Sequence, residues 1–356
     1  MKGACMAAEI QEQPQVFERI LREGRPRILE VAQAIRRRQP RFVLFVARGT
    51  SDHAALYAKY LVETQLGLPA GLVSPSTVTI YDTHPDLRDV LFIGVSQSGG
   101  SPDLIEPMTR AHACGALTLA VTNAPESPLT EAAEFHVDVL AGSEQAVAAT
   151  KTYTAELLSL FLLVEALGDG APSYKDGGTS SGGGEAVESL PQRAQAVLAL
   201  DSEVGRLAVR YRFAEQLVVT ARGYNYATAR ETALKLMETS YLVAHAFSAA
   251  DLLHGPMAMI DRGFPVIAVA PSGQGSSALQ PVMERLRELR ADVLVVGGAD
   301  ACRLGTIGLE LPDLGPEILT PILAILPLQQ LAWHLARERA IDPDQPRGLQ
   351  KVTETW

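Results

Sequence analysis

The densest polar chemistry in the chain is Ser96-Gln97-Ser98-Gly99-Gly100-Ser101, three hydroxyls and an amide directly ahead of Pro102. Proline suits the first position of a helix. Helix N-terminal N–H groups and nearby hydroxyls can then converge on an anion, above all a phosphate. The bland alternative is a polar turn with Ser101 as N-cap. The segment has neither a P-loop lysine nor a dinucleotide fingerprint. A second concentration is Arg230-Glu231-Thr232-Ala233-Leu234-Lys235-Leu236-Met237-Glu238, in which Glu231 and Lys235 are one helical turn apart and Glu238 shares their face. A solvated, salt-bridged face is the plainer expectation for such a helix. Partial burial among the apolar neighbours would instead move a carboxyl toward general-base duty. His254, ahead of Gly255-Pro256, can shuttle a proton or merely cap an element or fill a core. Lys351 lies in a proline-containing C-terminal segment that reads as a frayed tail rather than a docked one.

Positioning these residues falls to a regular series of elements. Arg41–Ala47, Asp89–Val95 and Ala116–Val121 are short apolar runs, each ending at a turn and separated by helical pattern. Gln216–Thr220, Phe264–Ala270 and Asp292–Val296 repeat the series, with a long helix from about Tyr226 to Val243. Fully apolar strands alternating with helices predict parallel sheets covered on both faces. The two series share one register, because Ala47-Arg48-Gly49 recurs as Ala221-Arg222-Gly223 and Gly99 recurs as Gly273, both 174 positions on. This predicts duplication of one α/β domain. Ser96-Gln97-Ser98-Gly99 then faces Ala270-Pro271-Ser272-Gly273. Pro271 has no N–H to donate, so phosphate binding should fall to the first half. Residues 9–38 read as an amphipathic helix broken near Gly24 and Pro26, and Lys175–Gly184 as a Gly/Ser-rich linker.

Bulk properties narrow the function classes. The net charge is −10, which argues against a nucleic-acid binder. Cys5, Cys114 and Cys302 are too few and too far apart for a zinc cluster or a disulfide framework, and a reducing cytoplasm is the simple expectation. No signal peptide is visible. The most apolar stretch is expected to be Leu157–Val164, which falls short of the about 20 residues a membrane helix needs, so neither a membrane nor a nucleic-acid partner is expected.

Taken together, Arg48-Gly49-Thr50-Ser51, Ser96-Gln97-Ser98-Gly99, Ala141-Gly142-Ser143-Glu144 with Ala149-Thr150-Lys151, Ala233-Leu234-Lys235-Leu236, His254-Gly255-Pro256 and Asp344-Gln345-Pro346-Arg347 resemble the sugar isomerase (SIS) domain family. The likeness is to the isomerase half of glucosamine-6-phosphate synthase and to SIS-type glucosamine-6-phosphate deaminases, and it runs from about residue 40 to the C-terminus. The resemblance implies two tandem, doubly wound, flavodoxin-like αβα domains. The expected layout is a lead-in at 1–34, one SIS domain at 35–172, a linker and helix at 173–204, a second SIS domain at 205–342 and a tail at 343–356. It implies that Ser96, Gln97, Ser98 and Ser101, with Thr50 nearby, bind a sugar phosphate. Glu238 would move a proton between C1 and C2, His254 would assist ring opening in the neighbouring subunit's site, Lys351 would contact the open-chain sugar, and Val147 would line the pocket through its backbone. No metal or cofactor is needed for that chemistry, and a homodimer with a shared site is expected.

The sequence departs from the synthase. A glutaminase activity is not expected of this chain, Gly100 and Ser101 replace Glu and Thr, Ala149 replaces a sugar-contacting Ser, and the tail reads Gly348-Leu349-Gln350-Lys351. The opening Glu9-Ile10-Gln11-Glu12-Gln13-Pro14 is like that of stand-alone deaminases. The expected activity is conversion of glucosamine 6-phosphate to fructose 6-phosphate and ammonia. The alternatives are galactosamine 6-phosphate or a fructosamine 6-phosphate as substrate, synthesis from free ammonia, or a non-catalytic sugar-phosphate regulator.

Overall fold

A computed structural model describes residues 2–168 and 183–351; most of the Lys175–Gly184 segment read as a linker lies outside the described residues. The described chain divides into two compact units, one drawn from 15–144, 151–184 and 350–356, the other from 1–14, 145–150 and 185–349.

The first unit is built on five parallel strands: β1 (Phe42–Val46), β2 (Ala70–Leu72), β3 (Val90–Ser96), β4 (Leu117–Thr122) and β5 (Phe135–Asp138), in the order β2-β1-β3-β4-β5. The second repeats it with β6 (Gln216–Ala221), β7 (Val243–Ser248), β8 (Pro265–Ala270), β9 (Asp292–Gly297) and β10 (Ile307–Glu310), in the order β10-β9-β8-β6-β7. Read from β7, the second order is the first, so the duplication inferred from the 174-residue offset is real. β3 and β4 are buried at every position, as strands covered on both faces must be.

Several expectations need correction. The four edge strands, β2, β5, β7 and β10, were not predicted. They are short or half-exposed and lack a continuous apolar run. The long helix ends at Ser240 rather than near Val243, because Tyr241 turns left-handed at φ 54° and Val243 opens β7. The lead-in does not break at Gly24 and Pro26. A π turn at Ile20–Gly24 absorbs the irregularity, and Pro26 sits in the first turn of Arg25–Arg38, where its missing N–H is no loss. Leu157–Val164 is not the longest apolar stretch. The helical segment Glu317–Glu338 is long and apolar enough to cross a membrane by length and composition, yet 89% of its apolar window is buried inside the fold. It is the core helix of the second unit.

Gly99 holds the turn after β3 at φ +61°, and a Cβ there would overlap the side chain of Ser127. Gly49, after β1, has a similar φ of +55° but open space around it. Gly99→Ala is therefore expected to cost about 2–4 kcal/mol and Gly49→Ala about 1–2 kcal/mol, since strain is common to both and overlap to one. Urea unfolding of the two variants tests the difference, and equal losses would contradict it.

Candidate active site

In a sheet ordered 2-1-3-4-5 the order of strand addition reverses between β1 and β3, and ligands favour the crevice at their carboxyl ends. β1 and β3 pair in register, Val46 against Gly94, so Gly49-Thr50-Ser51 and Ser96–Ser101 emerge side by side at that reversal. Thr50, Gln97, Ser98 and Ser101 are partly exposed there and Ser96 is buried. Ser96 Oγ accepts from the Gly99 N–H at 3.1 Å and Ser98 Oγ from the Gly100 N–H at 3.4 Å. Ser101 is the N-cap residue of Pro102–Ala113, as the polar-turn alternative has it, and its hydroxyl makes no capping bond.

Two contacts fix this crevice that the sequence did not reveal. Arg48 Nε donates to the buried Asp103 carboxylate at 2.8 Å, tying the end of β1 to the helix that follows β3. Ser51 Oγ donates to the buried Glu156 at 2.8 Å, tying the helix Gly49–Leu61 to Lys151–Leu167. Lys351 belongs to this unit. Its Nζ pairs at 2.8 Å with Glu144, whose side chain is fully buried and also accepts from the Thr152 N–H. The tail is thus docked at Lys351, not frayed there; residues 352–356 lie outside the described residues.

The equivalent crevice of the second unit is closed from within. The Glu317 carboxylate accepts from the Gln274 N–H at 2.8 Å and the Gly275 N–H at 2.7 Å. A Cβ on Gly273 would overlap that carboxyl group. An internal anion therefore takes the N–H groups after β8. Pro271 alone was the sequence-based reason for a poorer cradle, and Glu317 is the stronger one.

The second unit carries Glu238, His254 and Val147. On the helix Tyr226–Ser240, Lys235 is 1% exposed and lies 3.3 Å from Glu231, itself fully buried, and 2.5 Å from Glu238, whose side chain is 23% exposed. The expectation of a solvated face is wrong: Thr228, Thr232 and Thr239 are buried along the same helix. Burial alone would lower the Lys235 pKa, but the carboxylates of Glu231 and Glu238 outweigh it and hold the ammonium above its ordinary value. Lys235 is thus a buried cation paired with both the buried Glu231 and the partly exposed Glu238. His254 is exposed at the end of the helix Ala249–Leu253 and is not a core histidine. Its backbone N–H bonds to Asp251, and its ring makes no hydrogen bond among the described residues. Val147 is half-buried in the loop between Ala141 and Lys151.

Elsewhere in the second unit, a cleft of about 800 Å³ at the opposite, N-terminal edge of the strands is lined by Arg210, Arg262, Arg287, Arg290 and Arg303. Helices Asp201–Tyr211 and Gln280–Leu289 end there, and helix C-termini favour cations. No group of His, Cys, Asp or Glu suited to a metal ion occurs among the described residues.

A family model described as the SIS domain matches residues 38–166 and 211–305. The chain belongs to the SIS domain family. The glutamine–fructose-6-phosphate aminotransferase of Methanothermobacter thermautotrophicus is 34% identical over 97% of this chain and 56% of its own length, so the chain spans little more than half of that relative. Among solved structures, a Silicibacter pomeroyi protein provisionally named a phosphosugar isomerase is 32% identical, with a TM-score of 0.84, over 96% of this chain and all of its own. The C-terminal domain of glucosamine-fructose-6-phosphate aminotransferase from Francisella tularensis is 26% identical, with a TM-score of 0.85, over 96% of this chain and 98% of its own.

Lys235→Met would leave the Glu231 carboxylate buried without its cation, and a loss of about 3–5 kcal/mol is expected. Because the folded pKa of Lys235 is raised, its contribution is complete below the ordinary value of 10.5 and fades as pH rises beyond it. Urea unfolding of both proteins from pH 7 to 11 should show the gap narrowing on the alkaline side. A constant gap would remove the electrostatic account.

Proposed function

We propose that the protein is an aldose–ketose isomerase and deaminase of an amino-sugar 6-phosphate, converting glucosamine 6-phosphate and water to fructose 6-phosphate and ammonia. The observation that carries this reading is Glu238, a partly exposed carboxylate held in place by a fully buried ammonium. A 1,2 proton shift needs one such fixed base above the C1–C2 edge.

In this mechanism the phosphate is held by Ser96, Gln97, Ser98 and Ser101, with Thr50 beside them and the N-terminus of Pro102–Ala113 behind. Binding remote from the reacting carbons orients them. His254, supplied by the second copy of a homodimer, passes a proton to the ring oxygen and opens the sugar. Glu238 takes the proton from C2 and returns it to C1, while the nitrogen gives up one proton and O1 gains one, so the C2 amine becomes an imine and C1 a hydroxymethyl group. Lys351 stabilises the charge that develops on O1. Water then adds to C2 and ammonia leaves. Val147 shapes the sugar pocket through its backbone. The exposed ring of His254 suits a residue that completes a neighbour's site. Ala149, small and half-exposed in the Val147 loop, favours a second substrate reading, in which the sugar is galactosamine 6-phosphate or a fructosamine 6-phosphate.

Ammonia release from a panel of amino-sugar 6-phosphates tests the reading. Glu238→Gln is expected to lower kcat about 10²–10⁴-fold without loss of fold. Equal rates for wild type and variant would remove Glu238 from the mechanism. Mixing inactive Glu238→Gln with inactive His254→Ala should restore activity through hybrid dimers. No recovery after verified subunit exchange would remove the shared site.

A further inference from the structure

The opening motif Glu9-Ile10-Gln11-Glu12-Gln13-Pro14 has no place in the mechanism above, yet two of its polar side chains are buried, Glu9 at 3% and Gln13 at 0% exposure. Both serve one loop. The Glu9 carboxylate accepts from the Gln145 N–H and, at 3.3 Å to each oxygen, from the Ala146 N–H. Gln13 Nε2 donates to Gln329 Oε1 at 2.9 Å, and Gln329 Nε2 donates to the Thr150 carbonyl at 3.1 Å. The loop is gripped at its first residues by a carboxylate and at its last by a relayed amide. Val147 and Ala149 lie between the grips.

Anchoring the N-terminal helix does not require this arrangement. The helix Ala4–Gln11 is already tied down at its start, where the Asp344 carboxylate accepts from the Cys5 and Met6 N–H groups at 2.9 Å each. Asp342 accepts from the Gly3 N–H at 2.9 Å, and Trp333 Nε1 donates to the Gly3 carbonyl at 2.7 Å. Burying a carboxylate costs free energy unless hydrogen bonds to it are complete. Here backbone N–H groups of the loop supply bonds to the carboxylate, so the charge helps secure the loop's main-chain orientation.

We propose that Glu9, with Gln13 acting through Gln329, is a positioning residue for the sugar pocket, setting the backbone of Gln145–Thr150 so that Val147 can present its main chain to the substrate. The proposal rests on the reading above, in which that loop lines the sugar. A misplacement of about 1 Å in such a loop can cost up to 10²-fold. Glu9→Gln keeps the shape but turns an amide NH₂ toward an N–H donor. Steady-state ammonia release from the preferred amino-sugar 6-phosphate, on the full chain, should show KM raised at least tenfold with kcat within threefold. Gln329→Met, which releases the Thr150 end, should raise KM by a smaller factor. Ala8→Gly loosens the same helix on its exposed face without touching the carboxylate, and should leave KM unchanged. Unchanged KM in both folded loop variants, or an equal rise in Ala8→Gly, overturns the positioning role while leaving the proposed activity standing. A wild-type protein that neither binds nor converts any sugar 6-phosphate overturns both.

Discussion

Every strand-to-helix turn in a parallel sheet leaves backbone N–H groups that must find acceptors. The two halves of this duplicated chain answer that constraint differently, and the difference organises the rest. After β8 the acceptor is built in, because Glu317 reaches the Gln274 and Gly275 N–H groups from 43 and 42 residues away. After β3 the acceptors are the turn's own serine hydroxyls, which can give way to or join a ligand. One fold copied twice thus keeps one crevice polar and open at its crossover and closes the other with an internal anion. For a protein of net charge −10, attraction of a phosphate must be local, and the proposed function assigns it to this turn.

Buried charge does the positioning in both units. Asp103 fixes Arg48, Glu156 holds Ser51, Glu144 receives Lys351, and Lys235 lies between Glu231 and Glu238. Buried ion pairs contribute little net stability against apolar replacements. Their value lies in geometry, because a paired charge in a low-dielectric setting has few alternative positions. The groups left exposed, Glu238 in part and His254 in full, are the two that the proposed chemistry asks to exchange protons.

The sequence made the interior legible and the periphery not. β1, β3, β4, β6, β8 and β9 were readable because central parallel strands are apolar on both faces. β2, three half-buried residues, and β7, with two buried positions out of six, carry no such signature. The polar turn, the repeat and the motifs of the family were also readable, since they are local. The pairings of Glu317 with Gln274 and of Glu144 with Lys351 were not legible, because they span 43 and 207 residues. Solvation of the Glu231–Glu238 face was misjudged for a related reason. An i,i+4 charge pattern gives the spacing of ions but not what packs over them.

Phosphate is expected at the turn after β3 and not at the turn after β8, where the Glu317 carboxylate already takes the Gln274 and Gly275 N–H groups. A crystal structure with fructose 6-phosphate bound tests it most directly. The phosphate is expected against Ser96, Ser98 and Ser101, with the Glu317 carboxylate still on Gln274 and Gly275. A phosphate seated on the turn after β8, with Glu317 displaced, would contradict it.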